Sequence, residues 1–244
     1  MKQLPTINLI YWALLVSATT IGETMGDLIS TSFHLGYANS SLVLIMLFVL
    51  FLLIELFSNI QNSLLYWAVI TTASTAGTTI SDYISRTLLL GYSLSCVMII
   101  FPLLVVFGVL YLLKSGSFSN QVVSKKIEFF YWMALLISST FGTAIGDLIA
   151  NETVLGFSGG SIFLIIILTL IALLTKFSKV SKTICFWLAM ITIHPIGATL
   201  GDYITKPEGL NLGNLLATLL LLFIFILLFA GSKVIATQLK KDIS

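Results

Sequence analysis

The sequence predicts an all-α membrane protein, with eight transmembrane helices as four parallel two-helix repeats arranged in two pseudo-symmetric halves. Three observations carry this. First, 58% of the 244 residues are hydrophobic and only 9% are charged, whereas about a quarter of residues carry charge in ordinary globular domains. Second, uncharged runs such as Leu42 to Ile54, Cys96 to Leu113 and Leu215 to Gly231, with their small and polar flanks, approach the roughly 20 residues that cross a bilayer as a helix. Third, four segments align without gaps: YWALLVSATTIGETMGDLIS from Tyr11, YWAVITTASTAGTTISDYIS from Tyr66, YWMALLISSTFGTAIGDLIA from Tyr131 and FWLAMITIHPIGATLGDYIT from Phe186. Self-similarity of this kind marks a repeat architecture.

Taken in order, spans are expected at 8–30, 37–57, 63–85, 92–113, 127–150, 157–175, 183–205 and 211–231. Lipid offers no partner to backbone N–H and C=O groups, and the runs lack the alternation of a barrel strand, so each is read as a helix. The first span is expected to be mature structure rather than a signal peptide, because its pattern recurs three more times. Trp12 and Trp67 are separated by the same interval as Trp132 and Trp187, while the middle interval is longer. The excess is the polar stretch KSGSFSNQVVSKK, which joins a first half, residues 1–117 with repeats 1 and 2, to a second, residues 118–244 with repeats 3 and 4. Two spans per repeat make all four copies enter the membrane in one direction, which places equivalent residues at one depth.

Charge sets the expected orientation. Lys2, Lys114, Lys125, Lys126, Lys176, Lys179, Lys182, Lys233, Lys240 and Lys241 fall on one side of the predicted spans, and only Arg86 and Lys206 on the other. The positive-inside rule then places both termini in the cytoplasm of a multi-pass protein of the cell's inner membrane. The net charge of +2 is an orientation signal and supports no nucleic-acid partner. Lys176, Lys179 and Lys182 are expected to meet anionic lipid headgroups. Cys96 and Cys185 begin spans on opposite sides and are expected to be free thiols.

Within each repeat, positions i, i+4 and i+7 of a helix share a face. Counting back from each Asp gives Thr20, Glu23 and Asp27; Thr75, Thr78 and Asp82; Thr140, Thr143 and Asp147; and Pro195, Ala198 and Asp202. The first three sets are polar stripes about 10 Å long. In the fourth, Pro195 is expected to kink or break the helix. Small residues pair at Gly22 and Gly26, Gly77 and Ser81, Gly142 and Gly146, and Gly197 and Gly201, spacing that lets helix backbones approach closely in lipid. Trp12, Trp67, Trp132 and Trp187 are expected to anchor the helices at the membrane interface. His194 has two readings, a packed histidine or a proton relay.

With these motifs in hand, the chain resembles a family of bacterial membrane proteins made of four tandem two-span repeats, each with a signature tryptophan and known chiefly as a repeat of unknown function. The resemblance covers essentially the whole chain and implies the architecture, without assigning an activity.

The acidic stripe carries the expected function. Carboxylates in a bilayer usually line a watery path or pair with something. Like charges at short range favour bound protons or cations. Glu23, Asp27, Asp82, Asp147 and Asp202, with Thr20, Thr140 and Thr143, are therefore expected to bind ions, and Glu23, Asp27, Asp147 and Asp202 are the metal ligands of choice. Asp82 ranks behind them because Arg86 lies one turn on. Oxygen donors of this kind suit Mn²⁺, Mg²⁺ or Ca²⁺. The opposing expectation puts each Asp in the last turn of its helix, wetted at the interface. The leading reading is a secondary transporter with a divalent cation as substrate and no resident cofactor. GETMGD is similar to the Glu-x-Gly-Asp motif of manganese and calcium exchangers, with a spacing one residue longer. Two alternatives stand beside it: a noncatalytic membrane protein binding a lipid, pigment or partner protein, and an intramembrane hydrolase using paired aspartates. The latter lacks the Gly-x-Gly-Asp signature of presenilin-like proteases, since Thr24, Ala144 and Thr199 stand where its first Gly belongs. The chain is thus expected not to be an enzyme.

Overall fold

Polar caps open three of the odd-numbered helices. Asn8 precedes α1 (Leu9–Asp27) and accepts the backbone N–H of Tyr11 at 2.8 Å. Asn62 precedes α3 (Ser63–Asp82) and accepts that of Leu64 at 3.0 Å. Ser124 serves α5 (Lys125–Glu152) through Ile127. Each satisfies an N–H that has no partner inside its helix. The fourth, α7 (Lys182–Thr205), follows Ser181 without a side-chain bond. In the computed structural model residues 7–58, 62–113 and 124–243 are described, with side chains through Val234. Lys2, Lys114 and most of the joining stretch lie outside the described residues, as do the side chains of Lys240 and Lys241.

The even-numbered helices α2 (Tyr37–Phe57), α4 (Gly91–Leu112), α6 (Gly156–Phe177) and α8 (Gly213–Ile243) begin differently. Each is entered through a glycine at positive φ, namely Gly36 at 74°, Gly91 at 69°, Gly156 at 63° and Gly213 at 71°. A side chain is strained there, so glycine permits the short reversal from one helix into the next. Five-residue π-helical turns, Leu28–Ser32 and Tyr83–Thr87, extend α1 and α3 directly into those reversals. The expected spans agree with the helices to within a few residues except at the end, where α8 runs on to Ile243.

Helices α1, α3, α5 and α7 form a closed inner ring, each packed on the next, with α7 returning to α1. The even helices lie outside it. Each packs most extensively on the odd helix of the following repeat: α2 on α3, α4 on α5, α6 on α7, and α8 on α1. The ring closes so tightly because the small residues sit in the seams. A Cβ on Gly22 would fall 2.9 Å from the Ser74 carbonyl carbon, one on Gly77 2.8 Å from the Thr140 nitrogen, one on Gly142 2.9 Å from the His194 carbonyl carbon and one on Gly197 2.7 Å from the Thr19 carbonyl carbon. These are the same repeat positions around all four seams. Gly26, Gly146 and Gly201 face Thr78, Ala198 and Glu23 one turn further on, and Ser81 is buried at the fourth equivalent position.

Composition follows position in this arrangement. The outer helices have mean hydropathies of 2.5 to 2.8, against 1.5 and 1.6 for α5 and α7, and they expose large apolar side chains such as Met46, Phe101, Ile166 and Phe223. The interior instead holds Ser, Thr and acidic residues. An apolar exterior around a polar interior is a surface made for lipid. Six helices, α2 and α4 through α8, are long and apolar enough to cross a membrane. The other two, α1 and α3, are 19 and 20 residues long and carry buried acidic, Thr and Ser residues, which their enclosed position in the ring tolerates.

Two expectations are corrected. Pro195 does not break its helix: α7 runs unbroken from Lys182 to Thr205. Its backbone lies against Gly142, where the missing Cβ leaves it room, and neighbouring helices commonly support proline in this way. The tryptophans are not a set of lipid-facing anchors. An interface anchor must reach the perimeter, but Trp67 is 5% and Trp132 0% exposed, because the aromatic residues pack on one another at one end of the ring. Trp67 lies in ring contact with Tyr11 and Tyr66, and Trp132 with Tyr66 and Tyr131. The hydroxyl of Tyr66 links those of Tyr11 (3.1 Å) and Tyr131 (2.9 Å).

Candidate ion-binding site

The acidic residues occupy the opposite end of the inner ring from the tyrosines. Glu23, Thr78, Thr143 and Ala198 share one repeat position. The Glu23 carboxylate crosses the middle of the ring, its Oε2 accepting hydrogen bonds from the hydroxyls of Thr78 on α3 (3.0 Å) and Thr143 on α5 (3.1 Å). Those two hydroxyls are themselves 3.2 Å apart. One turn further on come Asp27, Asp82, Asp147 and Asp202.

None of the four aspartates is wetted at the surface. Exposure is 8% for Asp27, 1% for Asp82, 2% for Asp147 and 1% for Asp202, with Glu23 at 3%. Helix α1 and helix α3 continue past their aspartates in the π-helical turns, which encloses a position that a helix end would leave open. Glu23, Asp27 and Asp202 each offer an oxygen, all within 4.8 Å of one another. Arg86 ties together the other two, with Nε 2.7 Å from Asp82 and an amino nitrogen 3.5 Å from Asp147. Lys206 contacts Asp202 Oδ2 at 2.6 Å, while the buried Oδ1 of Asp202 has no hydrogen-bond partner among the described residues. Five carboxyl groups therefore face two cationic side chains. Among the described residues no ion pair reaches Glu23 or Asp27.

The remaining residues singled out from the sequence divide. Thr143 belongs to the site. Thr20 and Thr140 are buried, but their hydroxyls donate to the carbonyls of Val16 (2.8 Å) and Leu136 (3.0 Å) on their own helices. His194 is buried away from the carboxylates, with Nδ1 2.7 Å from the Met190 carbonyl, the geometry of a packed histidine. Two residues outside the expected ligands belong to the site as well: Thr78, which the sequence places on a polar stripe, and Lys206. Lys206 stands one helical turn after Asp202 as Arg86 does after Asp82, a pairing signal that its value as a topology marker obscured.

A polar cavity of about 350 Å³ leads to the site from this end, lined by Asp27, Tyr37, Arg86, Thr205, Lys206 and Asn214 among others. Toward the other end the ring is filled by Leu15, Ile70, Leu135 and Met190, which share one repeat position and are 0–1% exposed, and then by the linked tyrosines. The arrangement is a set of oxygen donors open at one end and sealed by apolar packing at the other.

Inner polar helices sheathed by outer apolar ones, built from four tandem copies of one unit, define a repeat-built polytopic membrane protein. A family model described as Repeat of Unknown Function (DUF347) matches residues 10–61, 65–115, 130–181 and 185–234, and the chain belongs to that family. No curated protein matches the chain, and no solved structure matches it.

Proposed function

We propose that the protein is a secondary transporter for a divalent cation, which binds among the carboxylates of the inner ring. The observation that carries this reading is the cluster of Glu23, Asp27 and Asp202, which each offer an oxygen within 4.8 Å of the others; Asp202 also keeps a buried Oδ1 with no hydrogen-bond partner among the described residues. Burying carboxylates is costly unless opposite charge accompanies them, and Arg86 and Lys206 are too few to balance five. A dication offsets two of the three charges left over, and a bound proton the third. Carboxylate and hydroxyl oxygens are hard ligands, which favours Mn²⁺, Mg²⁺ or Ca²⁺ over a thiophilic metal. Protons compete for the same oxygens and give a coupling route. The reading contains no catalytic step.

In this proposal all eight helices cross the inner membrane, both termini are cytoplasmic and the acidic end faces outward. The repeats are parallel and related around the ring. Contacts across the join between residues 1–117 and 118–244 are as extensive as those inside either half, so the ring of four is the working unit. Transport then requires the layer of Leu15, Ile70, Leu135 and Met190 to part.

Uptake of ⁵⁴Mn²⁺ and ⁴⁵Ca²⁺ by proteoliposomes tests the site. Glu23→Gln with Asp27→Asn is expected to reduce uptake by about tenfold or more, since one lost charge-assisted interaction is worth roughly 1.5–3 kcal/mol. Unchanged flux in the double variant would sink the assignment of these ligands.

A further inference from the structure

The four grooves between outer and inner helices are built from equivalent residues, and among the described residues that of α6 lacks the aromatic ring found in those of α4 and α8. At the same distance from the glycine that opens each even helix stand Leu52 in α2, Phe107 in α4 and Phe229 in α8, but Ala172 in α6. In the groove of α4, Phe107 packs on Trp187 with ring centroids 4.9 Å apart, and in that of α8, Phe225 packs on Trp67 at 5.8 Å. Helix α6 offers no aromatic ring to Trp12, the equivalent tryptophan, presenting Leu168 and Ala172 to the same space. What remains is a cavity of about 730 Å³, walled by Trp12, Leu168, Ile171, Ala172 and Ala189. That volume lies in the range of about 300–1,000 Å³ typical of small-molecule sites.

Charge enters this cavity only at one end; the other polar side chain in its wall, Thr169, donates its hydroxyl to the Ile165 carbonyl of its own helix. Thr175, Lys182 and Thr183 line it where α6 ends and α7 begins, and Lys176 and Lys179 are exposed in the same turn. Ala172 and Thr175, which line it on α6, are themselves exposed, so the cavity opens on the outer face that lipid covers. An apolar slot that opens on lipid and ends in three lysines is complementary to one kind of molecule. Basic pockets between helices are known to take anionic headgroups.

We propose that the groove between α6, α7 and α1 binds an acyl chain of an anionic phospholipid, with Lys182 and the neighbouring lysines holding the headgroup. The site is separate from the carboxylate cluster, being on the outside of the ring and at its other end, so it stands whether or not a cation is carried. Lipid that merely surrounds the protein would not discriminate among headgroups or sense the depth of one groove.

Native mass spectrometry of the full chain, incubated with phosphatidylglycerol or phosphatidylcholine, is the test. The wild type is expected to retain phosphatidylglycerol in preference to phosphatidylcholine. Ala172→Phe, which gives α6 the residue that α4 and α8 carry, should lower that retention by about tenfold by filling the cavity. Lys182→Gln, at an exposed position where folding is not at stake, should erase the preference between the two lipids. Equal retention of both lipids by the wild type would overturn the headgroup assignment, and unchanged retention in a folded Ala172→Phe protein would overturn the groove. A chain lacking residues 1–6 should retain lipid as the wild type does. A marked gain there would mean that this segment, not lipid, is the occupant.

Discussion

Arg86 touches carboxylates on two helices at once, Asp82 on its own and Asp147 on α5, a reach that the planar, multi-donor guanidinium makes and an ammonium does not. Removing it leaves two buried acids with one fewer cation between them. Breaking a fully buried pair costs roughly 3–5 kcal/mol; the Arg86 side chain is 37% exposed, so solvent screening reduces the expected loss for Arg86→Leu to about 2 kcal/mol. Arg86→Lys should recover the pairing with one aspartate and about half of that loss. Reversible unfolding in mixed micelles titrated with SDS measures both. Equal stability of wild type and Arg86→Leu would mean that the acids are held by something other than this bridge. Glu23 is a different case, since its oxygen is held by two hydroxyls rather than by a base, which leaves it available to a mobile cation.

At the scale of the helices, small residues decide the fit. Gly142→Ala drives a Cβ into the His194 backbone, where neither partner can move without shifting a helix. The expected cost is about 1–3 kcal/mol, the usual penalty of overpacking. Gly108 in α4 has nothing within 4 Å of an added Cβ, so Gly108→Ala should be neutral or slightly stabilising. The same SDS titration checks the pair, and equal effects would show that the seams are looser than they look. How much of this was legible in the sequence depends on the range of the signal. Helix positions and the small-residue pairs were readable, because both are local patterns. The Leu-Gly pairs at 35–36, 90–91, 155–156 and 212–213 were just as local and went unread, although they open every even helix. The division into inner ring and outer sheath was not readable from span lengths alone, because each even helix docks on the following repeat rather than on its own partner. The burial of Trp67 and Trp132, which half-buried Trp12 and Trp187 do not share, was not readable for a related reason: an aromatic residue near a helix start looks the same whether it faces lipid or a neighbouring tyrosine. The convergence of the aspartates was readable only as a common depth. Their burial comes from the packing of four helices on one another, and the π-helical turns after Asp27 and Asp82 and the Lys206 contact to Asp202 add to it, none of which a straight-helix count contains.

For the whole molecule, direction is what connects structure to use. The polar cavity reaches Asp27 from the acidic end, while apolar and tyrosine layers close the other, so under the proposed function the side of the membrane on which the acidic end lies fixes where a cation would enter. Arg86 and Lys206, the two basic residues at that end, are both engaged with buried carboxylates, so neither presents a fully free charge to compete with the lysines of the opposite end. Retention of those lysines on the cytoplasmic side is worth more than the bare charge count implied. Single cysteines in a Cys96→Ser, Cys185→Ser background report the outcome. Asn39→Cys, exposed at the start of α2, should react with a membrane-impermeant maleimide in intact cells, whereas Lys179→Cys, exposed between α6 and α7, should react only after permeabilisation. The reverse pattern would turn the protein over and make the carboxylate site face the cytoplasm; equal labelling of both would place the two ends of the ring on one side and remove the basis for transport through it.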